Sequence, residues 1–276
     1  MSVGSKRTNS SISGRFLAAA CTRVARVTDA EAVSQRLRTL YGRDPAGEVG
    51  VLHSIALWID AAGESHALRI APGCPQSDTD AFLLRAARMR AEAIITTGQI
   101  LRDEPQLTHG ESDRGLRAWR RDRVGLQASP RTVILTSGDQ IDMKHPALGT
   151  EHRPMIITRE EAVTPLQSAA HRAGVALEVI GREATSIRDT LALLRGQGHR
   201  TVLVEAGPTT AASLYDEPLR VDELLLAVYR GAVLAPQWIG PRFLNLNALE
   251  GAFQRHMPPT TVGESSGEWT FQRLLR

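Results

Sequence analysis

The chain has 276 residues, 42% apolar and 23% charged, a balance that supports an ordinary packed core and excludes a disordered or fibrous protein. No window approaches the roughly 18 consecutive apolar residues of a transmembrane helix, and two cysteines, Cys21 and Cys74, cannot build a disulfide framework or a four-thiolate zinc site. The net charge of +3 is uneven: Met1 to Thr28 hold Lys6, Arg7, Arg15, Arg23 and Arg26 with no acid, whereas the remainder carries 28 basic and 30 acidic side chains.

That first segment is rich in Ser, Ala and Arg and lacks a compact hydrophobic run ahead of a small-residue cleavage site. It is expected to be a basic tail rather than a secretory signal, although Ile12 to Val27 also has the acid-free composition of organellar presequences. The near-neutral remainder points away from nucleic-acid and membrane partners, and the low cysteine usage towards a reducing, cytoplasmic home. Over Asp29 to Tyr41, the residues Ala32, Val33, Leu37 and Leu40 recur at helical spacing, with Asp29 as the expected N-cap and Gly42 and Pro45 as the stop. Residues 1–47 are therefore read as a tail plus a short helix, and 48–276 as the main folded domain.

From Glu48 onward, apolar strand-like runs alternate with helices. The runs are Val49 to Ile59, Ala93 to Thr97, Thr132 to Thr136, Pro154 to Thr158, Val175 to Ile180, Thr201 to Glu205 and Val221 to Tyr229. Thr158 with Glu161, and Ser186 with Asp189, form capping-box patterns before helices, and Gly174 and Gly198 stand where those helices should end. Short buried strands with helical crossovers predict an α/β fold, a mostly parallel sheet covered on both faces. The last part, from Val221 to Arg276, has no long helix and predicts an antiparallel edge.

Ligands of such sheets bind at the carboxyl ends of the strands, so three junctions matter: Ile95 to Gly98, Ile156 to Arg159, and Leu203 to Thr210. In the third, Glu205 ends a strand, Gly207 lets backbone approach a ligand, and Pro208 starts a helix whose N-terminus favours phosphate. At the second, Thr158 and Arg159 offer a hydroxyl and a guanidinium. The first leads into the polar loop Arg102 to Thr108. Each junction, taken alone, also reads as an ordinary structural turn. The arginines from Arg114 to Arg123 read as a solvated helix face, and Cys74 as a free surface thiol. There is no His-Glu-x-x-His, no paired cysteines and no phosphate-binding Walker loop, so no metal site is expected.

The segments Ala91 to Gly98, Arg102 to Thr108, Val202 to Pro208 and Val221 to Leu224, in this order, resemble the reductase domain of the bifunctional riboflavin-biosynthesis deaminase–reductase. The resemblance runs from about Glu48 to the C-terminus. It implies a dihydrofolate-reductase-like fold, NADPH as hydride donor, a homodimer, and a phosphorylated ribosylaminopyrimidine or similar imine-type substrate. It also implies roles. Gly98 and Gln99 would line the cofactor cleft, Ala206, Gly207, Pro208 and Thr209 would cradle the pyrophosphate, and Thr158 and Arg159 would meet the 2′-phosphate. Trp58, Asp103, Pro105 and Leu107 would meet the substrate, while Asp60, Asp103 and Glu205 are the acids available for proton transfer or substrate orientation.

The chain departs from the family in its first strand. Ser54 stands where a Lys is usual, Trp58 replaces Ser and Ala61 replaces Gly, although Asp60 is kept. The Gly-rich segment before the substrate loop is one residue shorter, and Glu-Gly-Gly-Pro has become Glu205-Ala206-Gly207-Pro208, which is tolerable only where Ala206 needs no positive φ. The deaminase domain is absent from this sequence. Two alternatives follow from these departures: a pterin-like or xenobiotic reductase of the same fold, or a non-catalytic nucleotide-binding protein.

Overall fold

The structure, a computed structural model, describes residues 28–70, 72–138, 141–182, 185–231 and 234–276. The tail expectation for residues 1–27, and with it Cys21, lies outside them. The strands are β1 (Gly50–Ile59), β2 (Ser65–Leu68), β3 (Ala93–Thr97), β4 (Arg131–Leu135), β5 (Met155–Thr158), β6 (Ala176–Val179), β7 (Thr201–Val204), β8 (Glu223–Tyr229), β9 (Ile239–Arg242), β10 (Arg255–His256), β11 (Thr260–Glu264) and β12 (Gly267–Leu275). The helices are α1 (Asp29–Tyr41), α2 (Asp78–Arg90), α3 (Gly98–Asp103), α4 (Arg114–Trp119), α5 (Val163–Ala173), α6 (Ile187–Gly196), α7 (Pro208–Ala211) and α8 (Leu246–Gly251).

Among the described residues the strands form one sheet in the order β10-β12-β8-β1-β7-β3-β4-β5-β6, with β11 on β12 and the β2–β9 pair on β1. The run from β8 to β6 is parallel, and β12 lies antiparallel along β8, as expected for the C-terminal part. Apolar side chains alternate between two faces. Leu52, Ile94, Leu203, Leu225 and Phe271 pack towards α1, α2 and α4. Ile134 and Ile156, on the same face, meet Leu101 of α3 and Leu166 of α5. Val51, Ile95, Val133, Val202 and Val204 face Leu191 and Leu194 of α6, Ala211 of α7 and Leu249 of α8.

Local chemistry sets the helix ends, with two corrections to the sequence reading. The Thr28 hydroxyl, not Asp29, caps α1 by accepting from the Glu31 N–H. The Thr158–Glu161 box does not form, because Thr158 is the last residue of β5 and a 3₁₀ turn, Glu160–Ala162, precedes α5. Ser186 caps α6 as expected. Gly174 (φ 69°) and Gly198 (φ 90°) close α5 and α6 in the left-handed region. The Val175 and His199 N–H groups reach back to Ala170 and Leu194 across them.

Helix α1 belongs to the same core as the sheet, burying Leu37 and Tyr41, so packing marks no boundary at residue 47. The arginine-rich stretch after it is also not uniformly solvated. Arg120 is buried and donates to the carbonyls of Met89, Ala91 and Ala128. Arg121 and Arg123 do pair at the surface, with Asp122 and Glu31. At the amino ends of β1 and β8, Glu223 accepts from Arg90 and from Arg273 Nε (2.5 Å), and Arg273 continues to Glu48. This buried chain of alternating charges ties α2 to β8, β12 and the segment before β1.

Candidate active site

The pairing of β1 creates the opening. Its first half pairs with β7 from Gly50↔Thr201 to His53↔Val204, and its second half with β2 from Leu57 onward. Among the described residues Ser54 to Ala56 have no strand partner on that edge, so the sheet parts midway along β1 and just past the carboxyl end of β7. Glu205 is the first residue past the last paired position of β7, and its N–H bonds to Ile95 O (2.8 Å).

Alternation sends Glu205 towards α2, where Arg88 meets it side-on. Nε donates to Oε1 at 2.7 Å and Nη2 to Oε2 at 2.6 Å. Both side chains keep some exposure, 15% for Arg88 and 12% for Glu205. His109, fully buried, places Nε2 at 4.0 Å from Glu205 Oε2, while its Nδ1 lies 2.8 Å from Thr132 Oγ1. Thr96 Oγ1 and His109 Nε2 are buried there without a hydrogen-bond partner among the described residues.

The electrostatics separate the carboxylates. Burial pushes the Glu205 carboxyl up, but the charge and hydrogen bonds of Arg88, with His109, outweigh it and hold the group below its ordinary value. Glu205 is therefore an ionised strut for Arg88 and not a proton donor, which narrows its sequence-expected role to orientation. Burial raises Glu104, against the pull of Arg88 and with the push of Glu205 and Asp103. Among these acids Glu104 is the one shifted towards holding a proton. Burial lowers His109 to about 4, so its ring is neutral.

On the other side of the β7 end lies a cleft of about 580 Å³, lined by Thr97, Gly98, Gln99, Arg102, Leu135, Thr136, Ser137, Thr185, Ser186, Ile187, Thr209, Thr210 and Ser213. Hydroxyls from the ends of β3 and β4 and from α6 and α7 converge there with the Arg102 guanidinium. A Cβ at Gly98 would sit 3.3 Å from Thr136 Oγ1, so glycine keeps this wall open. A cavity of similar volume at the opposite end of the sheet is lined by Arg43, Glu48, Asp222, Arg255 and Arg276, away from the strand junctions.

The structure gathers only part of the sequence-expected set. Gly98, Gln99 and Thr209 line the cleft, and Gly207 and Pro208 lead into α7, a single turn whose dipole is correspondingly small. Ala206 is buried and is not among the positive-φ residues, so the loss of a glycine there needs no backbone strain. Thr158 and Arg159 do not line the cleft. Thr158 is buried with its hydroxyl donating to Thr136 O, and Arg159 Nε donates to Ser137 O. Asp60 is engaged in the β1–β2 turn, accepting from the Ala62 and Glu64 N–H groups and contacting His66, and the Glu64 N–H is the main cause of its lowered pKa. Both of its carboxylate oxygens are thereby engaged within the turn. Asp103 ends α3 and accepts from Gln99 Nε2. Pro105 lines a neighbouring cavity, Leu107 packs on the α3–α5 cluster, and Trp58 is buried with its ring 5.8 Å from that of His66. Arg88, Glu104 and His109 were missed, since their roles come from packing between distant segments.

Comparison with known proteins identifies the family. Residues 63–232 match the family described as the RibD C-terminal domain. A curated relative, the 2,5-diamino-6-ribosylamino-4(3H)-pyrimidinone 5′-phosphate reductase of Archaeoglobus fulgidus, is 30% identical over 162 residues, covering 56% of this chain and 67% of the relative. Among solved structures, a pyrimidine reductase-like protein from Corynebacterium diphtheriae superposes with a TM-score of 0.65 at 18% identity, covering 87% of this chain and 98% of that one. RibD from Acinetobacter baumannii superposes with a TM-score of 0.54 at 16% identity, covering 89% of this chain and 64% of that one. At those identities the structures speak for the fold, while the matched segment spans most of the sheet and the strand junctions that frame the cleft. The chain belongs to the RibD C-terminal domain family and shares the α/β fold of the pyrimidine reductase-like protein.

Proposed function

We propose that this protein is an NADPH-dependent reductase acting on a phosphorylated ribosylaminopyrimidine of the kind named for the Archaeoglobus relative. The observation that carries this reading is the division of labour at the end of β7: a hydroxyl-lined cleft on one side and the Arg88–Glu205 pair on the other. The donor set fits a dinucleotide. Thr136, Ser137, Ser186, Thr209 and Thr210 offer hydroxyls to a pyrophosphate, Arg102 offers positive charge, and Gly98 leaves room for close approach. When bound, NADPH supplies the hydride.

The protein's contribution is to hold, orient and protonate. Arg88 keeps Nη1 free of any partner among the described residues, because Nε and Nη2 are both committed to Glu205. That donor, fixed in direction by the carboxylate behind it, suits a carbonyl or phosphate oxygen of the substrate. Glu104, raised by burial, is the acid proposed to hold a proton for the reduced product, whereas Glu205 and Asp60 are shifted the other way. A cytoplasmic homodimer, as implied by the family resemblance, belongs to the same proposal.

The test is turnover. Purified protein, NADPH and 2,5-diamino-6-ribosylamino-4(3H)-pyrimidinone 5′-phosphate should consume NADPH only when all three are present. Binding of NADPH without consumption would overturn the substrate assignment. Trp58 favours a second reading, because its buried indole occupies the face on which Arg88 and Glu205 stand. In that reading the same fold reduces a different heterocycle or only binds a nucleotide. A pterin or xenobiotic consumed in place of the pyrimidine, or cofactor binding with no reducible substrate, would mark it.

A further inference from the structure

The loop after α3 is fastened by a histidine that neither the sequence motifs nor the reductase reading uses. His145 stands just before a 3₁₀ turn, Pro146–Leu148, and is buried. Its main chain is fixed on both sides: its N–H bonds to Asp142 O at 3.0 Å, and its carbonyl accepts from the Leu148 N–H at 2.9 Å. The ring therefore projects from a braced turn.

The protonation state of the ring follows from its two partners. The Ala147 N–H donates to Nδ1 at 3.2 Å, so Nδ1 carries no proton. Nε2 lies 3.0 Å from Glu104 O, which only accepts, so Nε2 carries the proton and donates it. The same carbonyl accepts from the Leu107 N–H at 2.9 Å. One oxygen thus gathers the Glu104–Leu107 turn and the braced turn of His145. Between them lies a cavity of about 480 Å³ that includes Pro105, Gln106 and Arg102.

We propose that His145, as its neutral Nε2–H tautomer, is a positioning residue that clasps the substrate loop and sets the affinity for the pyrimidine substrate. This rests on the reductase reading above. Protonation of the ring would turn Nδ1 into a donor facing the Ala147 N–H, removing one hydrogen bond and leaving a buried donor unpaired. The charged and titratable groups around it are Arg102, Asp142 and Lys144 along the cavity, Asp103 and Glu104 on the loop, and His109 behind it. Beyond His109 stand Glu205, Arg88 and His152 with Glu151. Burial lowers both His109 and His152.

The test compares His145→Gln with His145→Phe in the full chain. Glutamine keeps a donor for Glu104 O and an acceptor for the Ala147 N–H and does not titrate, whereas phenylalanine keeps neither function. H145F should raise KM for the pyrimidine phosphate by about three- to tenfold, the loss of one net hydrogen bond, with kcat and NADPH affinity within about twofold. H145Q should restore KM. Amide-exchange protection of the Glu104–Thr108 segment should drop in H145F and stay at the wild-type level in H145Q. Unchanged KM and unchanged protection in H145F, or a raised KM with lowered protection in H145Q relative to wild type, would overturn the clasp. The second comparison stands even when H145F does not fold. A protein that never turns over the pyrimidine would refute the reductase reading, while the exchange comparison would still decide the clasp.

Discussion

Arg88 and Glu205, 117 positions apart in sequence, meet through two parallel hydrogen bonds at the carboxyl end of β7. The pair joins α2 to the strand junction and leaves Nη1 without a partner among the described residues. Its observed role as a strut and its proposed contact with substrate are separable. Arg88→Ala strands a mostly buried carboxylate and should lower stability by about 3 kcal/mol in urea denaturation. The charge swap R88E/E205R should recover much of that stability without recovering KM. Recovery of both would mean that the pair is a strut alone.

Acid should destabilise the fold through its buried histidines. Burial lowers His53 and His109 to about 4, whereas an unfolded chain carries them at 6.5. The unfolded state therefore binds more protons between those values, and stability rises with pH across that window. The contribution is complete above about pH 6.5 and lost as pH falls to about 4. At about 1.4 kcal/mol per pH unit the gap amounts to roughly 3 kcal/mol per histidine. His53→Phe should flatten the stability profile over that range, and an unaltered slope would show that His53 is not held neutral.

The proposed cofactor cleft can be narrowed at one atom. Gly98→Ala places a methyl 3.3 Å from Thr136 Oγ1 inside the hydroxyl-lined wall. NADPH affinity should fall about tenfold, roughly the 1.4 kcal/mol that a tight contact and a displaced hydroxyl can cost. Thermal stability of the free protein should change little, because Gly98 has no positive φ to protect. Unchanged NADPH affinity would move the cofactor out of this cleft.

The buried charge chain at the other end of the sheet should matter for folding and not for chemistry. Glu223→Ala leaves Arg90 and Arg273 buried without the carboxylate they share. A loss of about 3–5 kcal/mol is expected in chemical denaturation, with KM unchanged in whatever protein folds. A loss under about 1 kcal/mol would mean that water solvates the arginines.

Much of the frame was legible because its causes are local. The apolar run Ala93 to Thr97 and the periodic helix Asp29 to Tyr41 are reproduced to the residue, since burial and spacing fix them within a few positions. Strands β2 and β9 left no signal: they are short, only partly buried, and gain their order from pairing with β1 and with each other. Thr158 was misread because a hydroxyl ahead of Glu161 looks like a cap, yet here it closes a buried strand by bonding to Thr136 O. The glycine-rich junctions of the site could be read from motif and turn chemistry. Arg88, His109 and His145 could not, because each acts on a partner brought close only by the packing of α2, the loop after α3 and the segment before β5.

The most direct measurement is a titration of the purified full chain with NADPH and, separately, with NADH, followed by cofactor fluorescence and thermal shift. A micromolar Kd for NADPH, weaker binding of NADH and a rise in melting temperature with cofactor concentration are the expected results. Failure of both nucleotides to bind or to stabilise the protein would contradict the assignment of the cleft between Gly98, Thr136 and Thr209 as the cofactor site.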